Sequence, residues 1–358
     1  MPRRGKADEV SEGPSGAFRG WLSQRIAVSD LELSELEAPS HGGLSHETRL
    51  FRARWDDGLE RRVRDLVLRL APAGLPLFPR YDLEAQFRLQ QILGERTELP
   101  VPRVLWLETD PTVLGRAFYV MERVPGRVAS DVPPYLLGGW LHDATPAQQR
   151  RAQESLVDAL ARLHRLDWRK LGLDYLDRPE CGPLGLDQEF GYWRRYLDWA
   201  GAKHPLPVLE AAFAWCLEHR PASTGSVGLS WGDARIGNVI YGDDFRPAAL
   251  LDWEMACLGP PELDLGWMIF LHETALIWLE DLPGFHGREA ILERYQQALG
   301  REVRDLLFYE VWAGLRAAAI RARIVQRDHV CGRVNDLRQQ ERTPVVQSLR
   351  RLIDLPRA

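Results

Sequence analysis

The hydrophobic period of this chain changes about a third of the way along it. Between residues 25 and 125, short apolar or alternating runs such as TRLFRARW and VRDLVLRLA indicate strands, because successive strand side chains point to opposite faces. One run among them, DLEAQFRLQQIL, has apolar residues at helical spacing and predicts a helix. From about residue 145 the spacing becomes helical, and TPAQQRRAQESL opens with a capping-box pattern. The change predicts an α+β chain with a small sheet-containing part and a larger, mostly helical part.

The same patterns predict how the chain is divided. Residues 1–16 are rich in Gly, Ser, Pro and charge, which predicts a disordered tail. Residues 17–124 then form a small lobe and residues 125–358 a helical lobe, and a cleft between lobes is a common place for a ligand. In the helical lobe, further helices are predicted near 188–201, 206–219, 262–279, 287–299, 302–327 and 333–353.

Length and charge exclude several classes of function. The 358 residues carry a net charge of −5 (46 basic, 51 acidic), which disfavours nucleic acid as the main partner. The start, MPRRGKADEVSEGPSGAF, lacks the apolar stretch of a signal peptide, and no apolar run is long enough for a membrane span. The four cysteines are far apart, with no CxxC or HExxH, which disfavours zinc and disulfide frameworks. We therefore expect a cytoplasmic protein that binds neither nucleic acid nor a membrane; its oligomeric state stays open.

One polar cluster interrupts an apolar region in WGDARIGNVIY. Asp233 and Asn238 have four residues between them, and Asp252 follows fourteen positions later in LLDWE, where a second hairpin strand ends. Ordinary turns also use Asp, Gly and Asn. A hairpin, however, would place Asn238 beside Asp252, and together they would offer the hard oxygen ligands that Mg²⁺ prefers. Phosphoryl transfer needs such metal ligands and an orienting carboxylate.

The spacing of this cluster matches the D-x-x-x-x-N of protein-kinase catalytic loops. Together with WGDARIGN, the segments DWEMACLGPPELDL, FYVMERVPGR and LARLHRLDW resemble the aminoglycoside phosphotransferase (choline-kinase-like) family over about residues 30–350. The most similar branch is the kinase-like domain fused to some acyl-CoA dehydrogenases. The resemblance implies a bilobal protein-kinase-like fold, with a nucleotide-binding N-lobe built on an antiparallel sheet and a helical C-lobe holding the catalytic loop and acceptor site. It further implies Mg²⁺-dependent transfer of phosphate from ATP or GTP to a small hydroxylated acceptor.

The resemblance also implies roles for residues of the catalytic loop. Asp233 would be the catalytic base or would orient the acceptor hydroxyl. Asn238 and Asp252 would bind Mg²⁺, with Glu254 supporting the metal site from behind. Arg235 would neutralise charge on the transferring phosphate; alternatively, it forms a salt bridge that only holds the loop.

A second set of residues is implied for nucleotide binding. The turn GGLSHET, with Gly43 and Ser45, would cover the phosphates, although a plain hairpin turn is an alternative. The backbone from Glu122 to Val124 would pair with the base of the nucleotide.

The chain departs from the family pattern at two positions. Trp231 stands where the family has His, which should change packing rather than chemistry, while Asp264 would be a structural carboxylate behind the loop. Arg69 stands where the family has Lys; it keeps the charge and can bind phosphate oxygens. Glu84 would pair with Arg69, or with Arg88 on its own helix. These departures leave a second function open, a nucleotide-binding pseudokinase that regulates a partner without transfer.

The acceptor is not identified by the sequence. An aminoglycoside, a hydroxyacyl thioester, an amino alcohol and a sugar alcohol are all compatible with it. Trp193, Trp199 and Trp267 could line the acceptor pocket, but we favour a core role for them, and for His164 a structural one.

Overall fold

The chain folds into two compact units in a computed structural model. The first unit contains the described residues up to Pro72 together with Val104–Arg123, and the second contains Ala73–Arg103 and the chain from Val124 onward. The sequence analysis placed Ala73–Arg103 in the small lobe, but this segment belongs to the second unit. Its helix buries Leu89 and Leu93 in the core of that unit. The residues that the structure describes are 14–39, 45–201, 206–223 and 225–354.

The first unit is an antiparallel sheet with one helix. The strands follow the order β1-β2-β3-β5-β4 across the sheet, and each neighbouring pair is antiparallel. The helix and strands are α1 Pro14–Ile26, β1 Glu32–Leu33, β2 Glu47–Asp56, β3 Arg61–Leu70, β4 Val104–Glu108 and β5 Phe118–Glu122.

Helix α1 is absent from the sequence prediction. It buries Phe18 and Leu22 completely against the sheet, and the indole Nε1 of Trp21 donates a hydrogen bond of 2.7 Å to Glu108 on β4. Since the helix begins at Pro14, residues 14–16 of the expected tail are helical. The rest of that tail lies outside the described residues.

The second unit is mostly helical and carries two small sheets. Its helices are α2 Leu83–Arg96, α3 Pro146–His164, α4 Trp168–Leu171, α5 Leu186–Gly201, α6 Pro207–Glu218, α7 Glu262–Leu276, α8 Arg288–Leu299, α9 Leu306–Val330 and α10 Pro344–Leu352. Its strands are β6 Arg127–Val128, β7 Gly228–Ser230, β8 Val239–Tyr241, β9 Pro247–Leu250 and β10 Cys257–Gly259, paired as β6-β8-β9 and β7-β10. Within the described ranges, every helix is too short or too polar to cross a bilayer.

The end of the described chain differs from the predicted helix 333–353. A 3₁₀ helix, Leu337–Arg342, comes first, and α10 then begins at Pro344 with the Thr343 side chain as its N-cap. Proline is well suited to the first position of a helix, because the backbone N–H that it lacks would have no acceptor within the helix there. The proline therefore marks the start of a new helix.

Candidate active site

The polar loop after β7 is held by one buried carboxylate, Asp264, near the start of α7. Asp264 accepts hydrogen bonds from the Ser230 hydroxyl (2.8 Å), the Trp231 N–H (2.6 Å) and the Gly232 N–H (2.7 Å). The residue is fully buried. These bonds fix the loop backbone immediately before Asp233. Asp264 therefore lies behind the loop, where a structural carboxylate was expected.

A second layer of polar groups holds Asp264 itself. His164, at the end of α3, donates from Nε2 to Asp264 at 2.9 Å, and its Nδ1 lies 2.5 Å from the Tyr295 hydroxyl. Burial by itself would raise the pKa of Asp264, but the hydrogen bonds from His164, Gly232 and Ser230 outweigh it and hold the pKa below its usual value. His164 thus has a structural position, as predicted.

Gly232 and Trp231 fix the loop against the segment around Asp252. Gly232 has a φ of 91°, and a Cβ atom there would lie 2.3 Å from the Met255 carbonyl oxygen. Only glycine fits this backbone without displacing it. The buried Trp231 indole donates to the Leu251 carbonyl at 2.8 Å. Trp231 therefore ties the loop directly to the residue that precedes Asp252.

The carboxylate of Asp233 is held by three side chains. Asn238 Nδ2 donates to Oδ2 at 2.7 Å, and Trp267 Nε1 donates to Oδ1 at 2.8 Å. Arg235 Nε lies 3.1 Å from Oδ1 and 3.2 Å from Oδ2. The Asp233 side chain nevertheless keeps 17% of its surface exposed, so a small group can still reach it.

Arg235 joins Asp233 to a carboxylate far away in the sequence. Its Nη1 donates to Asp131 Oδ2 at 2.6 Å. Burial would lower the pKa of Arg235, but Asp233 and Asp131 on either side outweigh it and raise the pKa. The guanidinium is therefore a permanent positive charge beside Asp233.

The hairpin of β8 and β9 pairs the backbone of Asn238 with the residue that precedes Asp252. Val239 pairs with Leu250, and the Leu251 N–H donates to the Asn238 carbonyl at 2.8 Å. Because Nδ2 of Asn238 donates to Asp233, the amide oxygen Oδ1 is the atom that Asn238 can offer to a cation.

Asp252 adds a carboxylate to this donor set. It has a φ of 61°, in the left-handed region, and one of its carboxylate oxygens lies within 4.8 Å of one of Glu254. Two carboxylates this close repel each other, and a divalent cation relieves that repulsion. An amide oxygen and two carboxylates are hard donors, which suit Mg²⁺.

The residues predicted to contact the phosphates lie in the first unit. Arg69 is on β3 and is half-buried; its Nη1 lies 3.5 Å from Thr48 Oγ1 and its Nη2 lies 3.4 Å from His46 Nδ1. Ser45 is the first described residue before β2, and Gly43 lies outside the described residues. The role of all three in nucleotide binding stays a prediction.

The other predicted nucleotide residues are divided between the units. Glu122 ends β5, and its side chain accepts a hydrogen bond from Arg64 at 3.1 Å, as a charge on the surface would. Val124 is the first residue of the second unit after this strand. Glu84 is exposed in the first turn of α2. It belongs to the second unit and Arg69 to the first, so their pairing stays a prediction.

Two contacts of Asp233 and its neighbours escaped the sequence analysis in different ways. Asp131 lies 102 positions before Asp233, in SDVPPY, where no period or motif marks it. Trp267 follows Asp264 by one helical turn, so both side chains lie on one face of α7. That spacing was a usable signal for the contact, and Trp267 is also buried in the core, as predicted.

Comparison with known proteins assigns the chain to a family. The family model described as "Phosphotransferase enzyme family" matches residues 42–317. The chain is 29% identical over 226 residues to acyl-CoA dehydrogenase family member 11 of Rattus norvegicus, a match covering 63% of this chain and 27% of that protein. It is 31% identical over 285 residues to probable acyl-CoA dehydrogenase IBR3 of Arabidopsis thaliana, covering 74% and 33%. The chain thus spans about a third or less of the length of these relatives.

Solved structures agree on the fold. A protein of Ralstonia eutropha assigned to the aminoglycoside phosphotransferases superposes with a TM-score of 0.67 at 22% identity, covering 95% of this chain and 98% of that one. The GDP complex of aminoglycoside 2′-phosphotransferase-IIIa gives 0.59 at 12% identity, covering 95% and 99%. The ADP–hygromycin B complex of an APH(4)-Ia mutant gives 0.52 at 16%, covering 93% and 98%.

These comparisons confirm the expected α+β, bilobal kinase-like fold. The expected class of enzyme, a phosphotransferase, is confirmed with the family. Since the match spans most of its length, the chain belongs to the phosphotransferase enzyme family.

Proposed function

We propose that the protein transfers the γ-phosphate of a nucleoside triphosphate to a hydroxyl group of a small molecule, with Mg²⁺. The observation that carries the proposal is the arrangement around Asp233. A partly exposed carboxylate is held by Asn238, and Asn238 is held by the hairpin beside Asp252. A loop that only turned the chain would have no need of these three groups together.

Asp233 accepts the proton of the acceptor hydroxyl in this mechanism. The acceptor oxygen forms a bond to the γ-phosphorus while the bond from that phosphorus to the β–γ bridging oxygen breaks. The nucleoside diphosphate leaves with the bridging oxygen, and the proton ends on the Asp233 carboxylate or in solvent. Because little covalent chemistry falls to the protein, positioning and charge carry most of the catalysis.

Asn238 and Asp252 would hold the metal ion, with Glu254 close to Asp252. When bound, Mg²⁺ supplies positive charge to the phosphate oxygens and aligns them for transfer. In the first unit, Arg69 and Ser45 would contact the phosphates, and the backbone at Glu122 would contact the base.

Arg235 supplies the fixed positive charge next to the reacting groups. With Nε on Asp233 and Nη1 on Asp131, the remaining nitrogen, Nη2, is the one Arg235 offers to a phosphate oxygen. Charge that develops in the transition state is stabilised best by groups already in place. Arg235→Ala should therefore lower turnover far more than nucleotide binding, and an Arg235→Ala protein with normal turnover would exclude this role.

Structural relatives support the two classes of substrate. One is described with ADP and hygromycin B, and another with GDP. These ligands support a nucleotide donor, either ATP or GTP, and a hydroxylated acceptor. The acceptor of this chain is to be sought among aminoglycosides and hydroxylated metabolites alike.

The test is nucleotide turnover over a panel of acceptors, with ATP and GTP each supplied with Mg²⁺. We expect one acceptor class to stimulate release of the diphosphate. Asp233→Asn should abolish that stimulation and leave nucleotide affinity, measured by calorimetry, unchanged. Asp198→Asn is the matched control, because Asp198 pairs with Arg194 on an exposed face of α5.

The same turnover experiment distinguishes the phosphotransferase from the nucleotide-binding pseudokinase. Nucleotide binding by the wild type without turnover over the whole panel would favour the nucleotide-binding pseudokinase. Equal turnover by the wild type and Asp233→Asn would overturn the role of Asp233.

A further inference from the structure

We infer that Trp267 and Arg316 are positioning residues that set the orientation of the Asp233 carboxylate. The inference rests on the proposed role of Asp233 as the residue that receives the acceptor proton. It concerns side chains on α7 and α9, outside the catalytic loop. Trp267 is 4% exposed and Arg316 1% exposed, so both act from the interior of the second unit.

Trp267 touches Asp233 directly. Its indole Nε1 donates to Oδ1 at 2.8 Å, while Asn238 Nδ2 donates to Oδ2 at 2.7 Å. With the Trp267 N–H on Oδ1 and the Asn238 N–H on Oδ2, in addition to Arg235 Nε near both oxygens, the carboxylate cannot rotate without losing a hydrogen bond. The remaining lone pairs are then aimed in a set direction, and catalysis depends steeply on such alignment.

Arg316 holds Trp267 and the loop at the same time. Its guanidinium carbon lies 4.9 Å from the centroid of the Trp267 ring and 5.3 Å from that of Trp193. Its Nη2 donates to the Gly232 carbonyl at 2.9 Å. Arg316 therefore fixes the plane of the indole and the peptide group that immediately precedes Asp233.

The close approach of α7 and α9 allows this contact. A Cβ atom on Gly266, the residue before Trp267, would lie 2.6 Å from the Tyr309 carbonyl carbon. No larger residue fits there without moving one helix. The two backbones therefore come near enough for Arg316 to reach past Trp267 to the loop.

The chemistry of Arg316 argues against a purely packing role. Its Nε and Nη1 atoms are buried without a hydrogen-bond partner among the described residues. A buried charge with unsatisfied donors is unfavourable, and an apolar residue of similar size commonly packs as well or better. An arginine here is best explained by what it positions.

The first test is Trp267→Phe, which keeps an aromatic ring and removes the N–H. Losing a hydrogen bond to a charged group should lower kcat about 10-fold to 100-fold. KM for the nucleotide should change less than about twofold, since Trp267 bonds to Asp233, whose proposed partner is the acceptor hydroxyl and not the nucleotide. Trp168→Phe is the control, because the buried Trp168 indole donates to the Val227 carbonyl instead. Equal kcat values for the two variants would overturn the inference.

A double variant shows whether Trp267 acts through Asp233. If it does, Trp267→Phe should cause little further loss of kcat in an Asp233→Glu background, which keeps a carboxylate for turnover but has already lost its set orientation. Independent, multiplicative losses would overturn the inference.

Arg316→Met separates positioning from stability. We expect an unfolding midpoint no lower than that of the wild type, together with a kcat lowered about 10-fold, because the loop is no longer aligned. A variant with unchanged kcat would remove Arg316 from the inference.

A measurement without turnover keeps this inference separate from the proposed function. In a protein with ¹⁵N-labelled tryptophan, Asp233→Asn should shift the indole N–H resonance of Trp267 and leave that of Trp168 in place. An unmoved Trp267 resonance would overturn the inference, whatever the activity. Absence of turnover in the wild type with a shifted resonance would instead count against the proposed function alone.

Discussion

The strongest test of the site's architecture is Asp264→Asn. The change keeps the shape of the side chain and removes its charge and one acceptor oxygen. Each oxygen of Asp264 accepts two hydrogen bonds: Oδ1 from Ser230 and Gly232, and Oδ2 from Trp231 and His164. In either orientation, the new amide NH₂ faces one buried backbone N–H, that of Gly232 or that of Trp231, which is left without an acceptor, whereas the Ser230 hydroxyl and the His164 ring can turn to accept.

The expected cost follows from that count. A buried donor left without an acceptor costs about 1–3 kcal/mol, so the one stranded backbone N–H predicts a loss of about 1–3 kcal/mol of unfolding free energy. No cavity is created, so packing does not enter the comparison.

Urea unfolding followed by tryptophan fluorescence measures this loss. The m-value should stay the same, so that the shift of the midpoint reports stability alone. Asp187→Asn is the control, because Asp187 pairs with Arg220 on the surface; such pairs contribute about 0–1 kcal/mol. If the two variants lost equal stability, Asp264 would not be the residue that holds the loop.

Three further predictions concern backbone, core and pH. Gly232→Ala should destabilise far more than Gly300→Ala in thermal unfolding, since both glycines have positive φ but only the first would place its Cβ within 2.3 Å of a carbonyl oxygen. Leu22→Ala in α1 should cost about 2–5 kcal/mol in urea unfolding, as fully buried leucines do, while Leu59→Ala, 93% exposed, should cost under about 0.5 kcal/mol; equal losses would exclude α1 from the core. Because the pKa of Asp264 is lowered on folding, its ionised carboxylate stabilises the folded state at pH values above the usual pKa of 3.8. This stabilisation is lost as the pH falls through the pKa of the folded state. Between pH 5 and pH 3 the wild type should therefore lose unfolding free energy faster than Asp264→Asn, and parallel curves would contradict this.

The sequence predicted the elements whose signal is local. Strands β2 and β3 and helix α3 have regular apolar spacing, and the spacing of Asp233, Asn238 and Asp252 already implied a hairpin. Helix α1 escaped because its sequence, PSGAFRGWLSQRI, has few apolar residues, and its helix forms by burying those few against the sheet. Tertiary packing, which a single segment does not reveal, decided its conformation.

Contacts between distant segments were the part that could not be predicted. Nothing in the sequence around Asp131 or Arg316 relates either residue to the loop, since each reaches it only because the fold brings separate elements together. Trp267 illustrates the intermediate case: its place on the face of Asp264 was predictable, while its hydrogen bond to Asp233 was not.

Because Ala73–Arg103 belongs to the second unit while the chain on both sides of it belongs to the first, the first unit cannot be exchanged between such proteins as one continuous segment. The polypeptide changes unit at three points, after Pro72, Arg103 and Arg123. A fragment ending near residue 123 would carry α2 with Leu89 and Leu93 open to water, so it would tend to aggregate. Grafting the sheet-bearing unit of a relative onto this chain therefore requires exchanging two stretches at once, with three splice points.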